Sequence, residues 1–246
     1  MTALQSYTLR LGDDCLILSH RLAEWTTRAP ELEEDVALAN IALDLLGQAR
    51  MLLSYAGSFD GRSEDDLAYL RDEREFVNCQ LAELENGDFA HTIARLLCFS
   101  TYQLALYRRL TDSADATLAA VAAKGVKEVA YHRDHAEHWT RRLGDGTAES
   151  HRRMQAGLAA VWPYTHELFI PDDVEQRLPG IAVDPGSLRP EWESFIDGVL
   201  TGATLERPAD DGWRPRGGRH GVHTEAMGFL LAEFQYLHRA HPGARW

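Results

Sequence analysis

The stretch Glu31–Gly57, ELEEDVALANIALDLLGQARMLLSYAG, decides the fold class. Pro30 and the acids Glu31, Glu33 and Glu34 mark the first turn of a helix, where carboxylates sit against the positive end of the peptide dipoles. Gly57 marks its stop. Between them Val36, Leu38, Ile41, Leu43, Leu45, Leu46, Met51, Leu52 and Leu53 leave no wide polar face. A helix apolar on every side is expected to be buried on every side. One narrow stripe breaks the pattern: Asn40, Asp44 and Gln48 recur every four residues and stack on one face. Polar groups in such a place must be hydrogen-bonded between helices, paired with a cation or bound to a metal.

Working outward, the rest of the chain also reads as helix. Residues 7–27 carry Leu11, Cys15, Leu18, Leu22 and Trp25 at helical spacing, with His20 and Glu24 on a neighbouring face. Residues 67–85 are charged and weakly patterned, which predicts a peripheral helix, and Asn86-Gly87 is a turn signal. Asp88 is placed to cap a helix running to about Leu110. Another spans about 114–143, with Gly125 as a candidate break and Gly144-Asp145-Gly146 as its stop. Residues 150–169 are amphipathic, with a kink expected at Pro163. The Pro/Gly/Asp-rich segment 170–189 reads as irregular. Pro190 opens a helix, a Gly- and Arg-rich loop spans Pro208–Gly221, and Thr224 starts the last helix. No strand pair, dinucleotide glycine motif or repeat is evident. The expectation is an all-α fold of six to eight helices, a four-helix bundle core with additional peripheral helices.

Of the 246 residues, 45 % are hydrophobic, enough to build a large core rather than a disordered chain. The net charge of −13 argues against nucleic acid and anionic membrane surfaces as partners, because both require a basic face. Cys15, Cys79 and Cys98 have no short-spaced pairing, so neither a disulfide framework nor a zinc site is expected. The N-terminal residues lack the charged start and apolar run of a signal peptide. No uninterrupted apolar run approaches the roughly 20 residues of a membrane span. The expected location is cytoplasmic.

The polar stripe invites a test for a di-iron bundle, in which two helices each give a Glu and two give Glu-x-x-His. Glu24 would serve on the first helix. Asp44 would serve on the second, but Gly47 and Gln48 stand where an imidazole is needed, and an amide is a poor iron ligand. No acid lies between Asp88 and Asp112. On the following helix Glu128 has Tyr131 three residues on and His132 four on. The scaffold pattern is present and the ligand set is short. The main alternative is a single metal held by Glu128, His132 and His135, which share a face with Trp139 and would make the chain a metal-dependent enzyme in its own right. Asp88-x-x-His91 has ligand spacing, but Asp88 suits a cap. His223, Glu225, His238 and His241 read as surface or helix-end residues. Arg214, Arg216 and Arg219 form the one basic cluster, a possible phosphate or partner contact. They also suit a solvated loop.

The segments YTLRLGDDCLILSHRLAEW (7–25), PELEEDVALANIALDLLGQAR (30–50), NGDFAHTIAR (86–95), KEVAYHRDHAEHW (127–139) and HTEAMGFLLAEFQYLHRAHPGARW (223–246) span essentially the whole chain. In order, they resemble the C-subunit (PaaC) family of the bacterial ring-1,2-phenylacetyl-CoA epoxidases, the multicomponent monooxygenases of phenylacetate degradation. The resemblance implies one ferritin-like helical domain over residues 1–246. It also implies a non-catalytic structural subunit that pairs with a catalytic A subunit, which holds the di-iron centre, within a complex that includes a B subunit and a reductase. On that reading the chain holds no cofactor or metal of its own. Glu24, Asp44, Gln48, Glu128 and His132 then occupy the positions of a degenerate di-iron site, a polar network with no catalytic residue. A homodimer of the isolated chain remains open.

Overall fold

A computed structural model describes residues 1–210 and 212–244. Asp211 in the Gly/Arg-rich loop, and Arg245 and Trp246 at the end of the last family-like segment, lie outside the described residues. The helices are α1 (Ala3–Ala23), α2 (Leu32–Gly57), α3 (Glu64–Tyr69), α4 (Gln80–Glu83), α5 (Phe89–Leu110), α6 (Ala116–Gly144), α7 (Ala148–Thr165), α8 (Asp173–Gln176), α9 (Arg189–Gly202) and α10 (Glu225–Ala240). No strand occurs among the described residues. The chain is all-α, in keeping with a ferritin-like bundle. It divides into two compact units, 1–85 with 216–246, and 86–215.

In the first unit α1 and α2 pack along their length. Leu11, Cys15, Leu18 and Leu22 are buried on α1, and Leu38, Ile41, Leu45 and Leu52 on α2. The two helices approach so closely that a Cβ on Gly12 would lie 2.9 Å from Leu53 Cδ2. α1, not α2, is the helix buried on every side: every residue from Tyr7 to Ser19 is buried. On α2 the expectation fails along one stripe. Leu32, Val36 and Leu43 are 75, 53 and 63 % exposed. Asn40 is exposed, Asp44 half-buried and Gln48 buried, so the stripe crosses from solvent to core. Periodicity shows that such a helix has no polar face; it does not show how many neighbours cover it. By length and hydropathy α2 also meets the test for a membrane span, over a window of mean hydropathy 1.4. A soluble core helix meets the same test, and the Leu38, Ile41, Leu45 and Leu52 side of α2 is core.

Residues 67–85 are not one peripheral helix. α3 ends at Tyr69, a 3₁₀ turn covers Glu73–Glu75, and α4 is a single turn. Phe76, Cys79, Leu81 and Ala82 are fully buried within this segment. Its polar side chains Arg71, Asn78 and Glu83 are buried too. They are satisfied by other elements of the unit, which is why helical patterning was weak.

The second unit holds the long pair α5 and α6, with α7 and α9 packed on α5. Asp88 caps α5, its carboxylate accepting from His91 N at 2.9 Å, as the sequence suggests. α6 starts after Asp115, which accepts from Thr117 N and Leu118 N, and runs unbroken through Gly125. Gly125 is buried, so it serves packing rather than a break. α7 contains Pro163 and tightens into a 3₁₀ turn at His166–Phe169. The segment 170–189 carries the short α8 and a 3₁₀ turn at Pro185–Leu188. Trp192 of α9 is buried and donates its indole N–H to the Cys98 carbonyl at 2.9 Å.

Candidate functional site

The residues expected to form a degenerate di-iron site come from both units, and each half stands on its own. In the first unit Glu24 is the C-cap of α1 and takes a hydrogen bond from Arg21 Nη1 at 2.8 Å. The helix stops at Ala23, so the expected run to residue 27 is cut short; Trp25 and Thr26 follow in turns closed by their own N–H groups. Asp44 is half-buried. Gln48 is fully buried, and its side-chain carbonyl accepts from Cys15 Sγ at 3.7 Å. A thiol can donate to an amide oxygen but brings no charge to offset a cation.

In the second unit Glu128 lies 3.9 Å from Lys124 one turn before it on α6. His132 is fully buried. His135 is half-buried, and burial, with His132 and His138 nearby, pushes its pKa down to about 4. It is therefore neutral near pH 7. His138 is exposed and donates Nδ1–H to the Asp134 carbonyl of its own helix at 2.7 Å.

Among the described residues no group of three or more His, Cys, Asp and Glu side chains is placed to hold a metal ion. The donor set agrees with that geometry. α2 offers Gly47 and buried Gln48 one turn beyond Asp44, and α5 has no acid between Phe89 and Leu110. Two iron ions need several anionic ligands to balance their charge. These residues do not fit a di-iron centre, and the Glu128, His132 and His135 face does not form a three-ligand group.

The three arginines of the basic cluster differ in exposure and in partners. Arg214 is exposed in the second unit and donates to the Asp210 carbonyl. Arg216 is exposed in the first unit. Arg219 donates to Asp14 through Nη1 at 2.9 Å and Nη2 at 2.8 Å, with its side chain 15 % exposed. That fork is committed to a carboxylate of its own chain and is not open to a phosphate.

Arg219 leads to the polar centre that the sequence reading missed. Adjacent acids on α1, Asp13 and Asp14, are buried at 0 and 3 % exposure. Asp13 accepts from both terminal nitrogens of Arg71 and from Val77 N, and Asp14 accepts from Cys79 N at 2.7 Å. Beside them Glu83 accepts from His223 Nδ1 at 2.7 Å, Asn78 Nδ2 at 2.8 Å and Thr224 N. His223 is no surface residue: its side chain and that of Glu83 are fully buried. Gly218 lets the chain pass close by, since a Cβ there would lie 2.3 Å from the Asn78 carbonyl oxygen. The signal was present in LRLGDDCLIL, two acids inside an apolar helical run, which obliges buried cationic partners. What the network can do chemically is hold α1, residues 71–83 and the return segment 216–224 in one arrangement.

The whole chain, residues 1–246, matches the family described as phenylacetic acid catabolic protein. It is 49 % identical over 249 residues to the C subunit of the 1,2-phenylacetyl-CoA epoxidase of Escherichia coli (strain K12), with 100 % of each chain covered.

Proposed function

The chain belongs to the phenylacetic acid catabolic protein family, and from that premise we propose that it is the non-catalytic structural subunit of a phenylacetyl-CoA 1,2-epoxidase in aerobic phenylacetate degradation. In this reading it pairs with a catalytic A subunit that holds the di-iron centre, and a B subunit and a reductase complete the assembly in the cytoplasm. The observation that carries the proposal is the end-to-end match to a protein named as the C subunit of such an epoxidase. The donor set adds support. Gln48, a buried amide, stands where iron would need a stronger ligand, and the Glu24 carboxylate is paired with Arg21 of its own helix. Released from metal binding, such positions serve helix register instead. The exposed apolar stripe Leu32, Val36 and Leu43 on α2 is also in keeping with a chain that works in a complex.

The test is metal content and turnover. The chain is purified alone and with its co-expressed A subunit from iron-supplemented cells. The proposal expects substoichiometric iron in the chain alone, and epoxidation only when the A subunit and reductase are present. Two irons per isolated chain, or turnover by it, would falsify this assignment. His132→Ala separates the metalloenzyme alternative: a structural partner loses stability or pairing, whereas a metalloenzyme loses metal and activity together.

A further inference from the structure

We propose that the cleft between α5, α6 and α9 in the second unit binds a phosphate-bearing organic anion. The cleft has a volume of about 510 Å³, within the usual range of small-molecule sites. Ala105 and Val199 give it an apolar floor, and Arg108, Arg133 and Arg141 line it. Nothing lies within 4 Å of where a Cβ of Gly198 would be, so the α9 wall is left bare at that point.

The three guanidinium groups are incompletely used. Arg108 reaches Glu191 at 3.5 Å, Arg141 reaches Glu137 at 3.0 Å, and Arg133 reaches Asp134 at 3.3 Å. Each thereby spends one nitrogen on a carboxylate. Arg133 is only 20 % exposed and lies over the Phe195 ring at 4.2 Å. Its Nε is buried and makes no hydrogen bond among the described residues. A guanidinium drawn this far from water with one carboxylate contact at 3.3 Å is undercompensated, and an anion in the cleft supplies the missing charge.

Each of the three cations is matched by one carboxylate, Glu191, Glu137 and Asp134, on a chain whose overall charge is −13. One fork suffices for a carboxylate. Three guanidinium groups lining one cleft, each with donors left over from its carboxylate, suit the several oxygens of a phosphate, and the volume admits the organic body of an ester. The inference is independent of the role proposed above, because binding is read on this chain alone.

Calorimetric titration of the intact chain at low ionic strength uses three probes: inorganic phosphate, pyrophosphate and ADP. The expected result is saturable one-to-one binding of pyrophosphate or ADP that weakens with added salt. Arg133→Gln and Arg141→Gln each weaken it about tenfold, the worth of one charge-assisted hydrogen bond. Glu191→Gln, at a position 48 % exposed, tightens it. Arg153→Gln, on the surface of α7, leaves it unchanged. Tighter binding of ADP identifies an ester ligand, and tighter binding of pyrophosphate a free phosphate. The proposal is overturned by absence of saturable binding to the wild-type chain. It is equally overturned by affinity that ignores Glu191→Gln and, in variants with native circular dichroism, both arginine substitutions.

Discussion

His223 carries a proton on each ring nitrogen. Nε2 lies 2.9 Å from the Phe76 carbonyl, which can only accept, and Nδ1 lies 2.7 Å from the Glu83 carboxylate. Burial opposes the charged ring. The hydrogen bond and charge of Glu83 and the bond to the Phe76 carbonyl outweigh burial, and the pKa is raised above the ordinary histidine value. A group whose folded pKa is raised stabilises the fold fully below its unfolded pKa, and the contribution is lost as pH rises through the folded value. His20 and His135 act in the other direction. Burial, joined for His135 by its histidine neighbours, lowers each to about 4, so each favours the fold above the ordinary histidine value and loses that contribution as pH falls toward 4. Urea midpoints measured across pH should therefore fall on both sides of a near-neutral plateau. His223→Gln should remove the alkaline fall and cost about 3–5 kcal/mol, because it leaves Glu83 buried without its cation. An unchanged alkaline limb in that variant would mean that His223 is neutral in the fold.

α1 and α2 show what helical patterning reveals and what it hides. Leu43 and Leu45 are two residues apart on α2 and equally apolar, yet Leu43 is 63 % exposed and Leu45 is 1 % exposed. Leu45→Ala should cost about 2–5 kcal/mol through lost contacts and a cavity. Leu43→Gln should change the stability of the isolated chain by less than about 0.5 kcal/mol. Chemical denaturation of the two variants checks both, and a comparable loss at Leu43 would show that its face is covered in solution. Helix ends proved legible where the cap is local, as at Asp88, whose carboxylate accepts from His91 N at the start of α5. Segment 67–85 was not legible, because Arg71, Asn78 and Glu83 take partners on α1 or on the return segment, or within the turn itself. The charges that a pattern analysis counts as solvent-facing are here the buried anchors. Gly125 was misread for a related reason: within α6 a glycine at a packed position is indistinguishable in sequence from one at a break.

At the scale of the molecule, the all-α class was readable, because it depends on residue types at fixed spacings along single helices. The Asp13, Asp14, Glu83 and His223 network was not, because it joins residues far apart in the chain. Gln80 Nε2, for example, donates to the Val222 carbonyl at 2.7 Å, across 142 positions. The first unit is therefore discontinuous, built from 1–85 and closed by 216–246. The return segment supplies Arg219 to Asp14 and His223 to Glu83, and Gln235 Nε2 donates to the Ala68 and Arg71 carbonyls at 3.0 Å each. Removing residues 216–246 would strip partners from two buried carboxylates at once and uncover the surface that packs on the apolar side of α10, where Met227, Leu230 and Leu231 are buried. Breaking one buried pair already costs about 3–5 kcal/mol, and the whole stability of a domain is typically about 5–15 kcal/mol. Truncation after Pro215 should thus unfold the first unit. α5 and α6 owe their packing to residues 86–215 and should keep their structure. Amide hydrogen exchange resolves the two outcomes. Protection should vanish along α1 and α2 and persist along α5 and α6. Retained protection across Tyr7–Ser19 in the truncated chain would show that α1 and α2 hold together without the carboxylate partners.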